Sequence, residues 1–234
     1  MKRLYHWTGG SRKTVNVGDR LGPWLMYRLD QPPALRPPEQ ADLVLVGSIL
    51  EHLPEKWQGT ICGAGFLFPD SKKDLSTATV LACRGRLTQK RLKAKDAVLG
   101  DPGLLASKFI VSMPSKFPLG VISHFSDSRL SQRFPHALQI DVAQHPDDFI
   151  SQVAQCRQII SSSLHGLVIA DAFGIPRQAE TFENIRSEGG INKWLDYSSI
   201  FDGKPHFGEM YSPPFRTVER VQQELLEAVH EALK

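Results

Sequence analysis

The fold of this chain is decided by the stretch Ile159-Ile160-Ser161-Ser162-Ser163-Leu164-His165-Gly166-Leu167-Val168-Ile169-Ala170-Asp171-Ala172-Phe173-Gly174-Ile175-Pro176. Its apolar start predicts the end of a short buried strand, and the three serines predict a polar turn. The apolar run 164–173 predicts a helix that Gly174 and Pro176 end. Strand, turn and helix in this order are the unit from which α/β folds with parallel sheets are built.

His165 lies at the N-terminus of that predicted helix. The first backbone N–H groups of a helix lack partners and the helix dipole is positive there, so this position favours anions. The hydroxyls of Ser161, Ser162 and Ser163 add hydrogen-bond donors, and His165 adds a titratable one. The local sequence fits equally well a second interpretation, in which the serines only cap the helix and His165 is an ordinary surface histidine.

Composition excludes several classes of protein. With 41% hydrophobic and 23% charged residues in 234, the chain is neither disordered nor a membrane protein. The net charge of +3 is spread without a basic stripe, so no nucleic-acid partner is expected. Three widely spaced cysteines in apolar surroundings argue against a disulfide framework and against a zinc site. The N-terminus lacks the apolar segment of a signal peptide, which predicts a cytoplasmic protein.

Apolar runs that end in glycine or a polar residue recur in the first half, at 42–48, 59–66 and 79–83. They are typical of central parallel strands. Because ligands of parallel sheets bind beyond the carboxyl ends of the strands, Arg84, directly after the third run, is a candidate to bind an anionic group. An internal salt bridge is an equally good interpretation of Arg84.

A polar loop over residues 8–19 connects a first short strand, predicted at 4–7, to a helix predicted over 20–29. In it, Gly18 would let the backbone approach a ligand, while Asn16 and Asp19 would accept sugar hydroxyls or cap the helix. A cap alone explains Asp19 at least as well. The proline-rich segment 31–38 predicts a stiff connector.

The second half repeats the α/β alternation, and residues 113–117 interrupt it with prolines and serine. We therefore predict an N-terminal Rossmann-like domain over 1–112, a linker over 113–117 and a C-terminal Rossmann-like domain over 118–234. A final helix over 218–233 has an apolar face for docking. The two parallel sheets would face a common cleft, although one continuous sheet stays open as an alternative.

Four separated motifs in this order resemble the polysaccharide pyruvyltransferase family. They are Asn16-Val17-Gly18-Asp19, Arg84-Gly85-Arg86-Leu87-Thr88, Leu99-Gly100-Asp101-Pro102-Gly103 and Ser161-Ser162-Ser163-Leu164-His165-Gly166. The run Lys193-Trp194-Leu195-Asp196-Tyr197 resembles the C-terminal pattern of bacterial exopolysaccharide members. The resemblance extends from residue 4 to residue 201 and implies a GT-B-like architecture of two Rossmann-like domains.

The resemblance also implies an activity, which is transfer of the pyruvyl group of phosphoenolpyruvate to a sugar as a pyruvyl ketal. Phosphoenolpyruvate would be a substrate, with no cofactor and no metal. The acceptor would be a saccharide or a lipid-linked oligosaccharide, and through it the protein would associate peripherally with a membrane. Two alternatives stay open, a GT-B type nucleotide-sugar glycosyltransferase and a non-catalytic member of a polysaccharide assembly complex.

The implied site has catalytic, donor-binding and acceptor-binding residues. His165 would act as general acid or base and Arg84 would bind one anionic group of the donor. The remaining donor-binding residues are Ser161, Ser162, Ser163 and Lys193, with Arg186 as the alternative to Lys193. Asn16, Gly18 and Asp19 would bind the acceptor. These roles predict that replacing either His165 or Arg84 by alanine abolishes turnover and leaves folding intact.

Overall fold

The computed structural model describes residues 1–9, 16–111, 113–127, 129–181 and 190–234, so loop residues 10–15 and the candidate Arg186 lie outside the described part. Within these ranges the chain forms eleven strands and eight α-helices. The strands are β1 (Arg3–Tyr5), β2 (Ala34–Leu35), β3 (Leu43–Val44), β4 (Thr60–Cys62), β5 (Thr79–Cys83), β6 (Val98–Leu99), β7 (Gly120–Ile122), β8 (Leu138–Gln139), β9 (Ile159–Ser161), β10 (Arg177–Ala179) and β11 (Met210–Tyr211). The helices are α1 (Val17–Arg28), α2 (Arg86–Leu92), α3 (Ala106–Phe109), α4 (Arg129–Arg133), α5 (Pro146–Ala154), α6 (Leu164–Ala172), α7 (Asn192–Ser198) and α8 (Phe215–Leu233).

The strands form two sheets. The first contains six parallel strands in the order β2-β1-β3-β4-β5-β6. The second has the order β11-β10-β9-β7-β8, and its strands are parallel except for β11, which runs antiparallel to β10 at the edge. The predicted α/β class with parallel sheets is therefore confirmed.

Residues 159–176 form the predicted strand, turn and helix. β9 lies in the middle of the second sheet, and α6 follows it after two residues. Gly174 ends the helix in the left-handed conformation, with φ of 65°, which glycine adopts at little cost. Every residue of α6 except His165 is buried, because the helix packs on the second sheet, on α5 and on the 3₁₀ turn Pro102–Leu105. His165 is thus the one residue of α6 that is not buried.

One hydrophobic cluster joins the two halves of the chain. It includes Leu21 of α1, Leu105, Leu167 of α6 and Leu225 of α8. The C-terminal docking helix, predicted within 118–234, packs on β4, β5 and β6 of the first sheet. The two sheets are therefore held together by shared core packing as well as by the segment between them.

Several local predictions differ from the structure. α1 begins at Val17 rather than at residue 20, because Asn16 caps it and accepts a hydrogen bond from the Asp19 amide at 3.3 Å. The proline-rich segment 31–38 contains β2, an edge strand that is compatible with prolines because one side of it needs no partner. The antiparallel edge strand β11 was not predicted. No helix in the described part of the chain combines the length and apolar character needed to cross a bilayer.

Candidate active site

A cavity of about 450 Å³ lies where the carboxyl ends of strands in the first sheet face the start of α6. We call it the His165 cavity. Five of the predicted site residues line it: Asn16, Asp19, Ser163, His165 and Lys193. They come from α1, α6, α7 and the turn before each of the first two, so distant parts of the sequence meet at one site. The structure thus brings these five predicted residues together.

The imidazole of His165 is held between two groups and is only 12% exposed. Its Nε2 lies 3.5 Å from Oδ2 of Asp101, which is fully buried. The other carboxylate oxygen of Asp101 accepts a hydrogen bond from the amide of Gly103 at 2.9 Å. Neither Nε2 nor Oδ2 has a hydrogen-bond partner among the described residues. Because no other described group competes for them, the carboxylate of Asp101 sets the orientation of the ring.

Gly18 makes room for the other side of the ring. A Cβ atom at this position of α1 would lie 1.9 Å from Nδ1 of His165 and 2.4 Å from its Cε1. Gly18 does not line the cavity. The sequence predicts Gly18 as an acceptor-binding residue, but the contact that the structure provides is with His165.

Gly18→Ala is expected to lower turnover about 100-fold, because the methyl group displaces the imidazole and misplacements of about 1 Å have effects of this size. Overpacking should also lower the free energy of unfolding by about 1–3 kcal/mol. Gly22→Ala is the matched control on the same helix, since its Cβ would lie 3.7 Å from the nearest atom, Cβ of Leu45. Steady-state kinetics and urea unfolding of both variants measure the difference, and equal activities would contradict the role of Gly18.

Asp19 is the second titratable group of the cavity. Its carboxylate accepts a hydrogen bond from the Asn16 amide at 3.3 Å, which completes a capping box at the start of α1. Burial raises the pKa of Asp19 from 3.8 to about 6, and the charges of His165 and Lys193 offset only part of this effect. Asp19 therefore caps α1 and also lines the cavity.

This raised pKa predicts a pH dependence of stability. Between 3.8 and about 6 the folded state binds a proton at Asp19 that the unfolded state has lost. The contribution of Asp19 to the free energy of unfolding therefore falls as pH rises through this window. In Asp19→Asn this decline is absent, so the variant should gain on the order of 1 kcal/mol relative to wild type between about pH 5 and about pH 8. Urea unfolding at several pH values measures the free energy of unfolding of both proteins, with Asp70→Asn on the exposed surface as the control. If the free energies of wild type and Asp19→Asn changed with pH in parallel, the pKa of Asp19 would not be raised.

The three serines divide into two groups. Ser161 and Ser162 are fully buried and their hydroxyls serve the fold. Oγ of Ser161 accepts from the Ser163 amide at 3.0 Å, and Oγ of Ser162 donates to Asp127 at 2.7 Å. Only Ser163 lines the cavity, as the residue directly before α6. The expectation that all three hydroxyls face a ligand is corrected to Ser163 alone, because the other two have internal partners.

Arg84 forms an internal salt bridge, which is one of the two roles that its sequence context allows. Its guanidinium is buried and pairs with Asp196 of α7, with Nη2 at 3.0 Å from the carboxylate. It also donates to the carbonyl of Phe66 at 2.6 Å and to the hydroxyl of Ser48. The described lining of the cavity does not include Arg84. The prediction that Arg84 binds the donor directly is therefore corrected, because the structure shows that Arg84 forms an internal salt bridge with Asp196.

The pairing of Arg84 has a consequence for Lys193. Asp196 lies on α7 together with Lys193, and it also accepts hydrogen bonds from the amide and the hydroxyl of Thr88, at 2.9 and 2.7 Å. α7 is thus anchored to the end of β5 and the start of α2. This anchor places Lys193 at the cavity, so Arg84 supports a site residue without contacting the site itself.

Several lining residues were not predicted. Trp7, His52, Phe68, His124 and Phe125 all line the cavity. Their signal in the sequence is weak, because single aromatic residues or histidines near a short strand or turn form no recognisable motif. Asp101 lies within one of the four motifs that resemble the family, but its contact with His165 becomes visible only in the fold. Within the described ranges, no three His, Cys, Asp or Glu side chains converge in a way that could hold a metal ion.

Comparisons with known proteins give a family and distant relatives. The family model for polysaccharide pyruvyl transferase matches residues 2–177. Succinoglycan biosynthesis protein ExoV of Rhizobium meliloti is 27% identical over 212 residues, which are 83% of this chain and 63% of that protein. An uncharacterised protein of Acanthamoeba polyphaga mimivirus is 33% identical over 135 residues, 50% of this chain and 46% of that protein. The matches therefore span less than two thirds of either relative.

A crystal structure of a functionally uncharacterised protein from Klebsiella pneumoniae has a TM-score of 0.48 to this chain at 14% sequence identity, and the match covers 90% of this chain and 93% of the other. The family match, in contrast, includes the segments 16–19, 84–88 and 161–166 and three quarters of the sequence. The chain therefore belongs to the polysaccharide pyruvyl transferase family.

Proposed function

We propose that the protein transfers a pyruvyl group from phosphoenolpyruvate to a sugar of a polysaccharide or of its precursor. The observation that carries this proposal is the His165 cavity, in which His165, Lys193 and Asp19 meet at the start of α6. The cavity offers a cation and a helix N-terminus for an anionic donor, and two titratable groups for proton transfer. Its residues also belong to the segments that match the family model, apart from Lys193, which lies beyond them.

The donor needs positive charge at two places, because phosphoenolpyruvate carries a phosphate and a carboxylate. Lys193 supplies one charge from α7. The N-terminus of α6 supplies the other, through the positive end of the helix dipole and the hydroxyl of Ser163 beside it. The vinyl carbon of the donor would then lie near His165. In this assignment Arg84 has no contact with the donor and acts through α7.

Proton transfer is assigned to His165 and Asp19. His165 protonates the methylene carbon of the donor, and a sugar hydroxyl adds to C2 as it gives its proton to the carboxylate of Asp19. A pKa of about 6 suits Asp19 for this task, since it is ionised at neutral pH and still basic enough to accept a proton. A second hydroxyl then attacks C2 and gives its proton to His165, which lost one in the first step. The bond from C2 to phosphate breaks, inorganic phosphate leaves, and the ketal remains. The buried carboxylate of Asp101, 3.5 Å from Nε2, holds the imidazole in position for this transfer.

A donor assay tests the proposal. The purified chain is incubated with phosphoenolpyruvate and oligosaccharides from succinoglycan whose pyruvyl groups have been removed by mild acid. Release of inorganic phosphate together with saccharide products that carry one pyruvyl group is the expected result. Turnover with a nucleotide sugar and none with phosphoenolpyruvate would replace the proposal by glycosyl transfer. If calorimetry detected binding of neither donor, the non-catalytic alternative would be favoured.

A further inference from the structure

A stacked aromatic pair separates the His165 cavity from a second cavity. The rings of Trp7 and His52 lie 4.4 Å apart between centroids at an interplanar angle of 20°. Both residues line the His165 cavity, and both also line a neighbouring cavity of about 510 Å³. We call the neighbour the Trp7 cavity. Since the two cavities share this wall, a ligand chain that leaves one of them over the rings enters the other.

The Trp7 cavity has flat apolar surfaces with few charges. It is lined by rings or prolines at Tyr5, Trp7, Pro37 and His52, with Arg36 as its cation. Burial raises the pKa of the Tyr5 hydroxyl to about 12, so it stays a neutral donor and acceptor. Burial also lowers the pKa of His6, which keeps this lining imidazole neutral at pH 7. A neutral ligand with apolar faces and hydroxyl edges matches this lining better than a multiply charged one.

Sugar rings are neutral ligands with apolar faces and hydroxyl groups at their edges. The C–H groups on one face of a pyranose are slightly positive and pack on the negative face of an aromatic ring, while its hydroxyl groups reach polar atoms at the edges. The volume of about 510 Å³ is within the range of pockets for small ligands, about 300–1,000 Å³. Trp7 is also distinctive among the four tryptophans: Trp24, Trp57 and Trp194 are buried, whereas Trp7 is partly exposed at the wall.

We propose that the Trp7 cavity is a second saccharide subsite, which binds the sugar next to the one held in the His165 cavity. The proposal rests on the proposed function, because it takes the occupant of the His165 cavity to be the acceptor sugar. It adds that the acceptor is an oligosaccharide that crosses the Trp7–His52 wall. Free monosaccharides lack the second contact and are poorer ligands.

The test compares ligand length in wild type and in Trp7→Ala. The probes are size-fractionated succinoglycan oligosaccharides without pyruvyl groups and an array of bacterial glycans from monosaccharides to octasaccharides. For wild type, the dissociation constant should fall about tenfold from monosaccharide to disaccharide or longer, and Trp7→Ala should lose this gain. Trp7→Phe should keep most of it. Tyr27→Ala, which removes an exposed aromatic ring of α1 outside both cavities, is the matched control and should bind as wild type does.

A measurement on the unmodified protein covers the case in which Trp7→Ala does not fold. Because Trp7 is the tryptophan open to solvent, bound oligosaccharide should shield it and reduce quenching of tryptophan fluorescence by acrylamide. Unchanged quenching at saturating oligosaccharide, no length dependence, or no retained glycan on the array would each overturn the subsite. Calorimetry with phosphoenolpyruvate is run in parallel. If phosphoenolpyruvate binds and no length dependence is found, the subsite alone is wrong; if phosphoenolpyruvate does not bind, the proposed function is wrong as well.

Discussion

Replacement of His165 by glutamine is expected to lower pyruvyl transfer by about 10²–10⁴-fold, the usual effect of removing a general acid or base. The glutamine amide can still donate a hydrogen bond towards Asp101, but it cannot exchange a proton at neutral pH. The fold should survive, because His165 is the residue of α6 that does not belong to the buried core. Phosphate release and pyruvylated product are measured at saturating donor, and urea unfolding is measured on the same samples.

His145→Gln is a matched control for this experiment. His145 also lies beside an aspartate, with Nδ1 at 3.6 Å from Asp147, but its side chain is 64% exposed and does not line the His165 cavity. Its turnover should stay close to that of wild type. If His165→Gln kept comparable phosphate release, His165 would have no part in proton transfer, and Asp19 would have to serve both steps. If the main effect of His165→Gln were a lower free energy of unfolding, His165 would be a structural histidine.

The sequence predicted those parts of the fold that local signals determine. β9, the turn and α6 were predicted because an apolar pair, three serines, an apolar run and Gly174 follow one another directly. β5 was predicted with its observed bounds, Thr79–Cys83, for the same reason. Short strands such as β2 and β11 were missed, since two residues paired at a sheet edge leave almost no pattern.

The sequence predicted which residues form the site, but not which residues they contact. Asn16, Asp19 and His165 were selected because they lie at predicted helix starts next to strand ends. Lys193 was selected from the resemblance to the family. The sequence left Arg84 undecided between a ligand and a salt bridge, because its partner Asp196 is 112 positions away. The contact of Gly18 with His165 and the position of Asp101 likewise depend on how the two sheets pack. Such long-range pairings carry no signal in a single sequence.

Replacement of Arg84 by methionine is expected to lower the free energy of unfolding by about 3–5 kcal/mol, because it leaves the carboxylate of Asp196 buried without its counter-charge. Methionine has a similar length and fills most of the space, so the loss of charge is the main change. The sequence-based expectation that an Arg84 variant folds normally is therefore revised. Turnover should fall as well, since α7 and its Lys193 lose their anchor. Urea unfolding and phosphate release measure the two effects.

Arg3→Met separates burial from ion pairing. Arg3 forms a salt bridge with Asp42 at 2.9 Å, but their side chains are 54% and 35% exposed. Exposed pairs of this kind contribute about 0–1 kcal/mol, so Arg3→Met should be only slightly less stable than wild type. The double variant Arg84→Met/Asp196→Leu should recover part of the stability lost in Arg84→Met, because it removes the unpaired charge. If Arg84→Met were as stable as Arg3→Met and still inactive, the salt bridge would not be structural, and Arg84 would again be a candidate ligand of the donor.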